Sequence, residues 1–375
     1  MSKRMRTYLD HNATSPIRPE AREAMLAALE LSGNASSVHE EGRKARALIE
    51  VARDDIARAL GTIAPTIVFT GGGSESCNQA LRCADADRLV VSAIEHPCVL
   101  EAATTSGCKV DVLPVDEHGV IDLPALDNLL GKGDGRALVS IMLANNETGA
   151  IQPIRDVVAI AGQHNALVHC DAVQAFGKLP VNFGLLGVDL LSVSAHKLGG
   201  PQGVGALVIR DGLPVSPLLA GGGQELRRRA GTENVAGIAG FAAAVRAAGK
   251  SDPDFKSLQA KLESVLASGP GEVTVFSADV DRLPNTVCFA LAGLEADTAL
   301  MAFDLDGIAV SSGSACSSGK VQASHVLKAM GAGEAATKSA IRVSLGWSST
   351  VEDMNRFSDS WQKIAARHVA RAAAA

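Results

Sequence analysis

Lys197 stands in the segment Ser192–Arg210, SVSAHKLGGPQGVGALVIR, where a strand pattern ends in Ser194-Ala195-His196-Lys197 and a Gly/Pro loop follows. A lysine just past a strand end can be desolvated. Desolvation lowers its pKa and frees the amine to form a Schiff base. A loop lysine is more often a plain surface residue, so this reading depends on its company. The segment Phe69–Leu81, FTGGGSESCNQAL, supplies some. A strand runs into three glycines, Gly73 among them, and Ser74-Glu75-Ser76 opens a helix. Glycines let a backbone approach closely, helix N-terminal amides attract an anion, and Ser74 adds a hydroxyl donor. The spacing is neither that of a Walker A loop nor of the dinucleotide fingerprint. Alone it reads as a glycine turn capped by Ser74.

Other segments add polar groups at the ends of apolar runs. In HCDAVQAFGK, Asp171 follows ALVHC directly, where open α/β sheets place their ligands. A carboxylate there can pair with a protonated pyridine nitrogen, or simply cap a helix. Gln174 lies three residues on, within reach of the same ligand. In SAIEHPCVLEA, His96 follows another strand end, and Pro97 suits a first helical turn. A histidine here can stack on a flat ring or shuttle protons, although a lone histidine is more often structural. Cys316 sits in SSGSACSSGK, a loop of Ser and Gly with almost no apolar neighbours. That composition favours an exposed, reactive thiol and equally allows an incidental one. Cys170 and Cys288, within apolar runs, read as buried. Arg342, inside the apolar run of SAIRVSLGWSS, needs an anionic partner, either a ligand carboxylate or a structural ion pair. The basic run Arg227–Arg229 reads as a solvated loop or a subunit contact.

The elements that must position these groups alternate. Strand patterns at Thr66–Thr70, Arg88–Ser92, Lys109–Leu113, Ala137–Leu143, Ala166–Cys170, Asp189–Ser194 and Gly205–Ile209 are separated in several places by helical ones such as Ile154–Gln163. Glu40–Leu60 is amphipathic and stops at Gly61, a C-cap residue. Such alternation predicts an α/β fold with a largely parallel sheet and helices on both faces. From about Ser251 a smaller α+β unit is expected. It has a helix at Phe255–Ala267, strands near Glu272–Phe276 and Asn285–Leu291, a helix near Glu295–Asp306 and a strand at Ile308–Ser311. The Ala-rich terminus reads as a frayed helix end.

Composition narrows the function. The chain has 375 residues, 47% of them apolar, enough for a sizeable two-domain interior. A net charge of −6 and 3% aromatics argue against a nucleic-acid surface or a base-stacking platform. Its 7 cysteines are odd in number and contain no C-x-x-C pair, so neither a disulfide framework nor a zinc site is expected. Free thiols fit a reducing compartment. No apolar run follows the basic start MSKRMRTYLD, and no stretch is long enough to span a membrane. A cytoplasmic protein without membrane, metal or direct nucleic-acid partners is expected.

Read in order, YLDHNATSP, GNASSVH, FTGGGSES, EHP, NNETGAIQPI, DAVQAFGK, SAHKLGGPQGVGAL, GGGQELRRRAGTENV, SSGSAC and IRVSLG resemble the cysteine desulfurases. These form the branch of fold-type-I pyridoxal-phosphate enzymes that supplies sulfur to iron–sulfur clusters and nitrogenase. The resemblance runs from Tyr8 to Trp347. It implies a large cofactor-binding domain over residues 14–250 and a small domain from 1–13 and 251–375 that carries the cysteine loop. It also implies pyridoxal 5'-phosphate, with Lys197 as Schiff-base lysine and proton carrier, Asp171 as partner of the pyridinium, Gln174 as donor to the ring's phenolic oxygen, and His96 stacked on the ring. Gly73, Ser74, Ser194 and His196 would hold the phosphate, joined by Thr232 from a second copy in a homodimer. Asn146 and Arg342 would hold the substrate carboxylate, and Cys316 would be the nucleophile, on a loop of the long, mobile kind. The implied substrate is L-cysteine. The implied products are alanine and a persulfide passed to an acceptor protein, most naturally in iron–sulfur assembly. A selenocysteine lyase, another lyase or an aminotransferase on the same scaffold is the alternative.

Overall fold

The computed structural model describes residues 6–250, 252–313 and 323–374. The strands Arg88–Ser92, Ala137–Met142, Leu167–Asp171 and Leu190–Ser194 are buried along their whole length. That is what near-continuous apolar runs require, since both faces must be covered. They form the middle of a seven-stranded sheet. Its order is Ile67–Thr70, Gly205–Ile209, Leu190–Ser194, Leu167–Asp171, Ala137–Met142, Arg88–Ser92 and Lys109–Leu113. The last of these is an edge strand, and its mixed KVDVL pattern matches its partial exposure.

Parallel pairing holds throughout except at Gly205–Ile209, which runs antiparallel to both neighbours. The sheet is therefore largely parallel, as predicted, with this strand its antiparallel exception. The physical reason is length. A parallel crossover needs roughly a dozen residues or more, and the connection Ala195–Val204 contains only a 3-10 turn, Ala195–Lys197. The chain must double back, and Lys197 lies in that reversal.

Helices cover the sheet. Glu40–Ala59 buries Ala45, Ile49, Ala52, Arg53 and Ile56, a stripe at helical spacing, and Gly61 follows it at φ 63°. Gly73–Cys83, Pro97–Thr104 and Ile154–Gln163 each follow a strand or its loop. The second sheet is antiparallel, in the order Ser311–Ser312, Ala340–Ser344, Thr286–Leu291, Val273–Val275. Phe289, Phe303, Phe357 and Trp361 pack together beneath it. Phe303 stacks on Phe357 at 5.2 Å, and Phe289 meets Trp361 edge-on at 5.1 Å.

The predicted strand Ile308–Ser311 is in fact two. Ile308–Ala309 pairs in parallel with Thr7–Tyr8, while Ser311–Ser312 joins the antiparallel sheet. The N-terminal segment thus lies against the second sheet, with a bridge from Asp10 to Ser344. It then crosses to the large sheet, where Ser15 N–H donates to the His196 carbonyl. The C-terminal helix Val351–Ala374 continues through most of the Ala-rich end. Among the described residues, no helix is long and apolar enough to cross a membrane.

Candidate active site

A cavity of about 250 Å3 opens at the C-terminal ends of the parallel strands. Asp171 is the last residue of its strand rather than the first of the loop, and Ser194 is the last of the next. Gly73 and Ser74 come from the turn after Ile67–Thr70, and His96 from the turn after Arg88–Ser92. All five line the cavity, together with Asn146, Gln174, His196 and Lys197. Nine of the residues singled out by the sequence therefore converge where open α/β sheets hold ligands.

Part of the cavity lining is an anion cradle. Gly72 adopts φ 144°, and helix Gly73–Cys83 starts there, so its first amides point outward without a side-chain cap. The helix N-cap is thus Gly72 and not Ser74. A Cβ on Gly73 would stand 2.8 Å from Val173 Cγ2, so a side chain there would have to push Val173 aside. His196 Nδ1 lies 3.1 Å from Thr14 Oγ1. Burial, followed by the charges of Lys197 and Lys178, pulls the His196 pKa down to about 4, which leaves a neutral imidazole.

Asp171, in the same lining, accepts a hydrogen bond from Val173 N–H at 2.9 Å and lies 3.7 Å from the Cys77 thiol. No helix begins at Asp171, so its carboxylate is not spent as a cap. Burial pushes its pKa up to about 6, with the Cys98 charge adding to the effect. A carboxylate in this state gains most from a cationic partner. One layer beneath, His169 bridges Ser140 at 2.8 Å and Ser192 at 2.9 Å, pinning three parallel strands.

Lys197 Nζ donates to the carbonyls of Asn12 at 2.6 Å and Ala13 at 2.9 Å. Gln174 Nε2 donates to the same Asn12 carbonyl at 3.0 Å, and Gln174 Oε1 accepts from Lys178 Nζ at 2.7 Å. His96 is the N-cap of helix Pro97–Thr104 and accepts from Cys98 N–H at 3.2 Å. Pro97 occupies the first turn, as the sequence indicates.

Arg342 is buried behind the wall. Its Nη2 pairs with Asp10 at 2.8 Å, and its Nη1 donates to the Asn146 carbonyl at 3.0 Å. Its Nε has no hydrogen-bond partner among the described residues. Of the two sequence readings of Arg342, the ion pair is the one the geometry shows. Arg342 also keeps a spare donor beside the cavity wall. Thr232 is exposed and does not line this cavity. Cys316 lies outside the described residues. On either side of its segment, the Ser324 hydroxyl donates to Glu147, and a Cβ at Gly313 would stand 2.7 Å from Glu147 Oε2. Glu147 adjoins the cavity-lining Asn146.

Several participants were not singled out from the sequence. Asn12 is a hub between the two sheets. Besides its carbonyl contacts, its Oδ1 accepts from Lys178 at 2.8 Å and Asn285 at 3.2 Å, and its Nδ2 donates to Thr286 at 2.9 Å. Lys178 is half-buried, and desolvation holds its pKa well below the usual range. Burial lifts Glu147 to about 7. Cys98 lines the cavity beside His96. The only sequence signal for these was membership of motifs whose other residues drew attention.

The class-V aminotransferase family model matches residues 7–357. The chain belongs to the class-V aminotransferase family, among its cysteine desulfurases. It is 41% identical to the cysteine desulfurase IscS of Dictyoglomus turgidum, over 95% of this chain and 94% of that one. It superposes on the X-ray structure of a NifS-like protein from Rickettsia africae with TM-score 0.89 at 38% identity, covering 96% of this chain and 99% of that one. It also superposes on SspA in complex with cysteine with TM-score 0.80 at 31% identity, covering 92% and 100%. The fold-type-I architecture expected from the sequence is therefore the observed one. Enzymes of this family use pyridoxal phosphate. The cavity suits that group in its donor set, with an anion cradle, a buried carboxylate and a lysine in one lining.

Proposed function

We propose that this chain removes the sulfur of L-cysteine, releases L-alanine and holds the sulfur as a persulfide on Cys316. The observation that carries the reading is the convergence of Lys197, Asp171 and the Gly73–Ser74–Ser194–His196 cradle on one cavity. When bound, pyridoxal phosphate supplies an aldehyde carbon for an amine and a ring that withdraws electrons from the substrate.

The chain's own groups do the rest. The cradle holds the phosphate through hydroxyls, imidazole and helix amides. Asp171 holds the proton on the ring nitrogen. Gln174 would donate to the phenolic oxygen, and His96 would cover the ring. Lys197 would hold the cofactor through its amine and would move a proton from the substrate Cα, as a positioned general base. Asn146, with Arg342 behind it, receives the substrate carboxylate. The Cys316 thiolate attacks the substrate sulfur, the carbon–sulfur bond breaks, and its electrons return to carbon.

Thr232, exposed and away from its own chain's cavity, supports a homodimer in which each copy completes the other's phosphate site. The small unit that carries Cys316 would comprise residues 1–13 and 251–375, against a large unit of 14–250. The persulfide would pass to an acceptor protein, with iron–sulfur assembly the best-supported destination. The free, mostly buried or half-buried cysteines fit the reducing cytoplasm.

The test is the absorption spectrum of the purified protein before and after L-cysteine, with alanine and sulfide assayed in the same tube. A visible band that shifts, with alanine and reductant-released sulfide in equal amounts, is expected. A colourless protein that stays so with added cofactor would overturn the reading. Preference for L-selenocysteine over L-cysteine would move it to a selenocysteine lyase.

A further inference from the structure

Just behind the cavity lining stands a lysine that the chemistry above does not use. Lys178 is not among the lining residues and borders a second cavity of about 320 Å3, yet its Nζ reaches Gln174, which is among them. Backbone turns set this up. Phe176 N–H donates to the Ala172 carbonyl at 2.9 Å and Lys178 N–H to the Ala175 carbonyl at 3.0 Å, with Gly177 at φ 84° between them. The chain folds back on itself, and Lys178 Nζ donates to Gln174 Oε1 at 2.7 Å and to Asn12 Oδ1 at 2.8 Å.

A side-chain amide has two ends of similar size and opposite hydrogen-bonding sense, so its partners decide which way it faces. The Asn12 carbonyl can only accept, so the Gln174 NH2 must face it, at 3.0 Å. Lys178 donates to the other end. Desolvation lowers the Lys178 pKa, but even the neutral amine has a hydrogen for each of its two oxygen partners. Asn12 is fixed in the same way. Its Oδ1 accepts from Lys178 and Asn285, and its Nδ2 donates to the Asn146 carbonyl at 3.2 Å and to Thr286 at 2.9 Å. Lys178 thus holds one end of the Gln174 amide directly and steadies the residue that holds the other. The Asn12 carbonyl takes one amide hydrogen of Gln174, which leaves one spare on a residue that lines the cavity.

We propose that Lys178 is a positioning residue for the cofactor ring, locking the Gln174 amide so that it presents a donor, and never its oxygen, to the ring's phenolic oxygen. Without Lys178, one bond is left to hold the amide. Turning it would set two acceptors against each other. The inference rests on the reading of Gln174 as the donor to that oxygen, and the experiment separates the two.

Lys178→Met keeps the length of the side chain and removes its donors. It is compared with Gln174→Ala and with the double variant, each checked for folding by urea unfolding. NMR of cofactor-free protein isotope-labelled at glutamine nitrogen reports the Gln174 amide, whose signal is assigned by its loss in Gln174→Ala. Titration with pyridoxal phosphate gives affinity and the position of the visible band. In Lys178→Met the Gln174 signal should move to where mobile, solvent-facing glutamines appear. Cofactor binding should weaken about 3- to 10-fold and the band should shift. In the double variant, affinity and band should match Gln174→Ala alone. Lys178→Arg keeps a donor and should keep the signal and the band.

An unmoved Gln174 signal in Lys178→Met would overturn the proposal. So would losses of affinity that add in full while the band stays in place, the mark of a merely structural role. Loss of signal and band in a stably folded Lys178→Arg would overturn it too. Unchanged affinity and band in Gln174→Ala would refute Gln174 as the ring's donor instead, and the amide signal would still decide whether Lys178 locks it.

Discussion

Asp171 is kept ionisable at a cost to the empty protein, and removing its charge should raise stability while weakening cofactor binding. Burial raises its pKa from 3.8 to about 6. Between those values the folded protein binds more protons than the unfolded chain, so stability is fully present below about pH 4 and is lost as pH rises through about 6. A shift of about two units corresponds to about 3 kcal/mol. Asp171→Asn has no such titration. An amide oxygen can still accept from Val173 N–H, so little else is lost. The stability difference between variant and wild type, measured on cofactor-free protein by urea unfolding, should therefore move in the variant's favour by about 3 kcal/mol between pH 4 and 7.5. Pyridoxal phosphate affinity should move the other way. Loss of one buried charge-assisted hydrogen bond, about 1.5–3 kcal/mol, predicts about 10- to 150-fold weaker binding by absorbance titration. A stability difference flat with pH, together with unchanged cofactor affinity, would refute both the burial argument and the assignment of Asp171 to the ring nitrogen.

Further outcomes follow from the same geometry. Lys197→Ala should lower alanine production by about 10²- to 10⁴-fold or more and lose the resting visible band, read by steady-state assay and spectrum. Cys316→Ala should keep the band's response to L-cysteine yet form no persulfide, as checked by mass spectrometry of the treated protein. Glu225→Gln should destabilise the protein by about 3 kcal/mol, because Arg53 is left buried with only Glu50 to pair with. Urea unfolding at fixed protein concentration checks it.

What the sequence makes legible is local. Strands buried on both faces must be apolar throughout, so ALVSIM or LLSVS announces itself, and the change to polar residues at a strand end marks where ligands bind. Lys197, Asp171, Ser74 and His96 are visible for that reason. Asn12 is not, because its role lies in contacts to residues such as Asn146 and Thr286, far away in the chain. Cys98 is hidden by the more conspicuous His96. The direction of Gly205–Ile209 depends on how short a loop is, which strand propensity does not report.

The segment QELRRR shows the limit most clearly. Glu225, Leu226 and Arg227 adopt φ 47°, 56° and 66°, a left-handed run without a single glycine. Nothing in Glu-Leu-Arg predicts it. What holds it is a contact across 172 positions of sequence. Both Glu225 carboxylate oxygens accept from Arg53 at 2.8 Å, and Oε2 also accepts from Phe69 N–H at 2.8 Å. Arg53 in turn lies 4.8 Å over the Phe69 ring. Farther along, Arg229 pairs with Glu75 at 2.9 Å, and Gln79 donates to the Arg228 carbonyl at 2.8 Å. A segment whose basic run reads as a solvated loop is thus tied at three points to the strand and helix on either side of Gly73, and through Arg53 to helix Glu40–Ala59. Its strain is tolerated because the ties over-determine it, and they fix the anion cradle at the start of helix Gly73–Cys83 from outside the cavity.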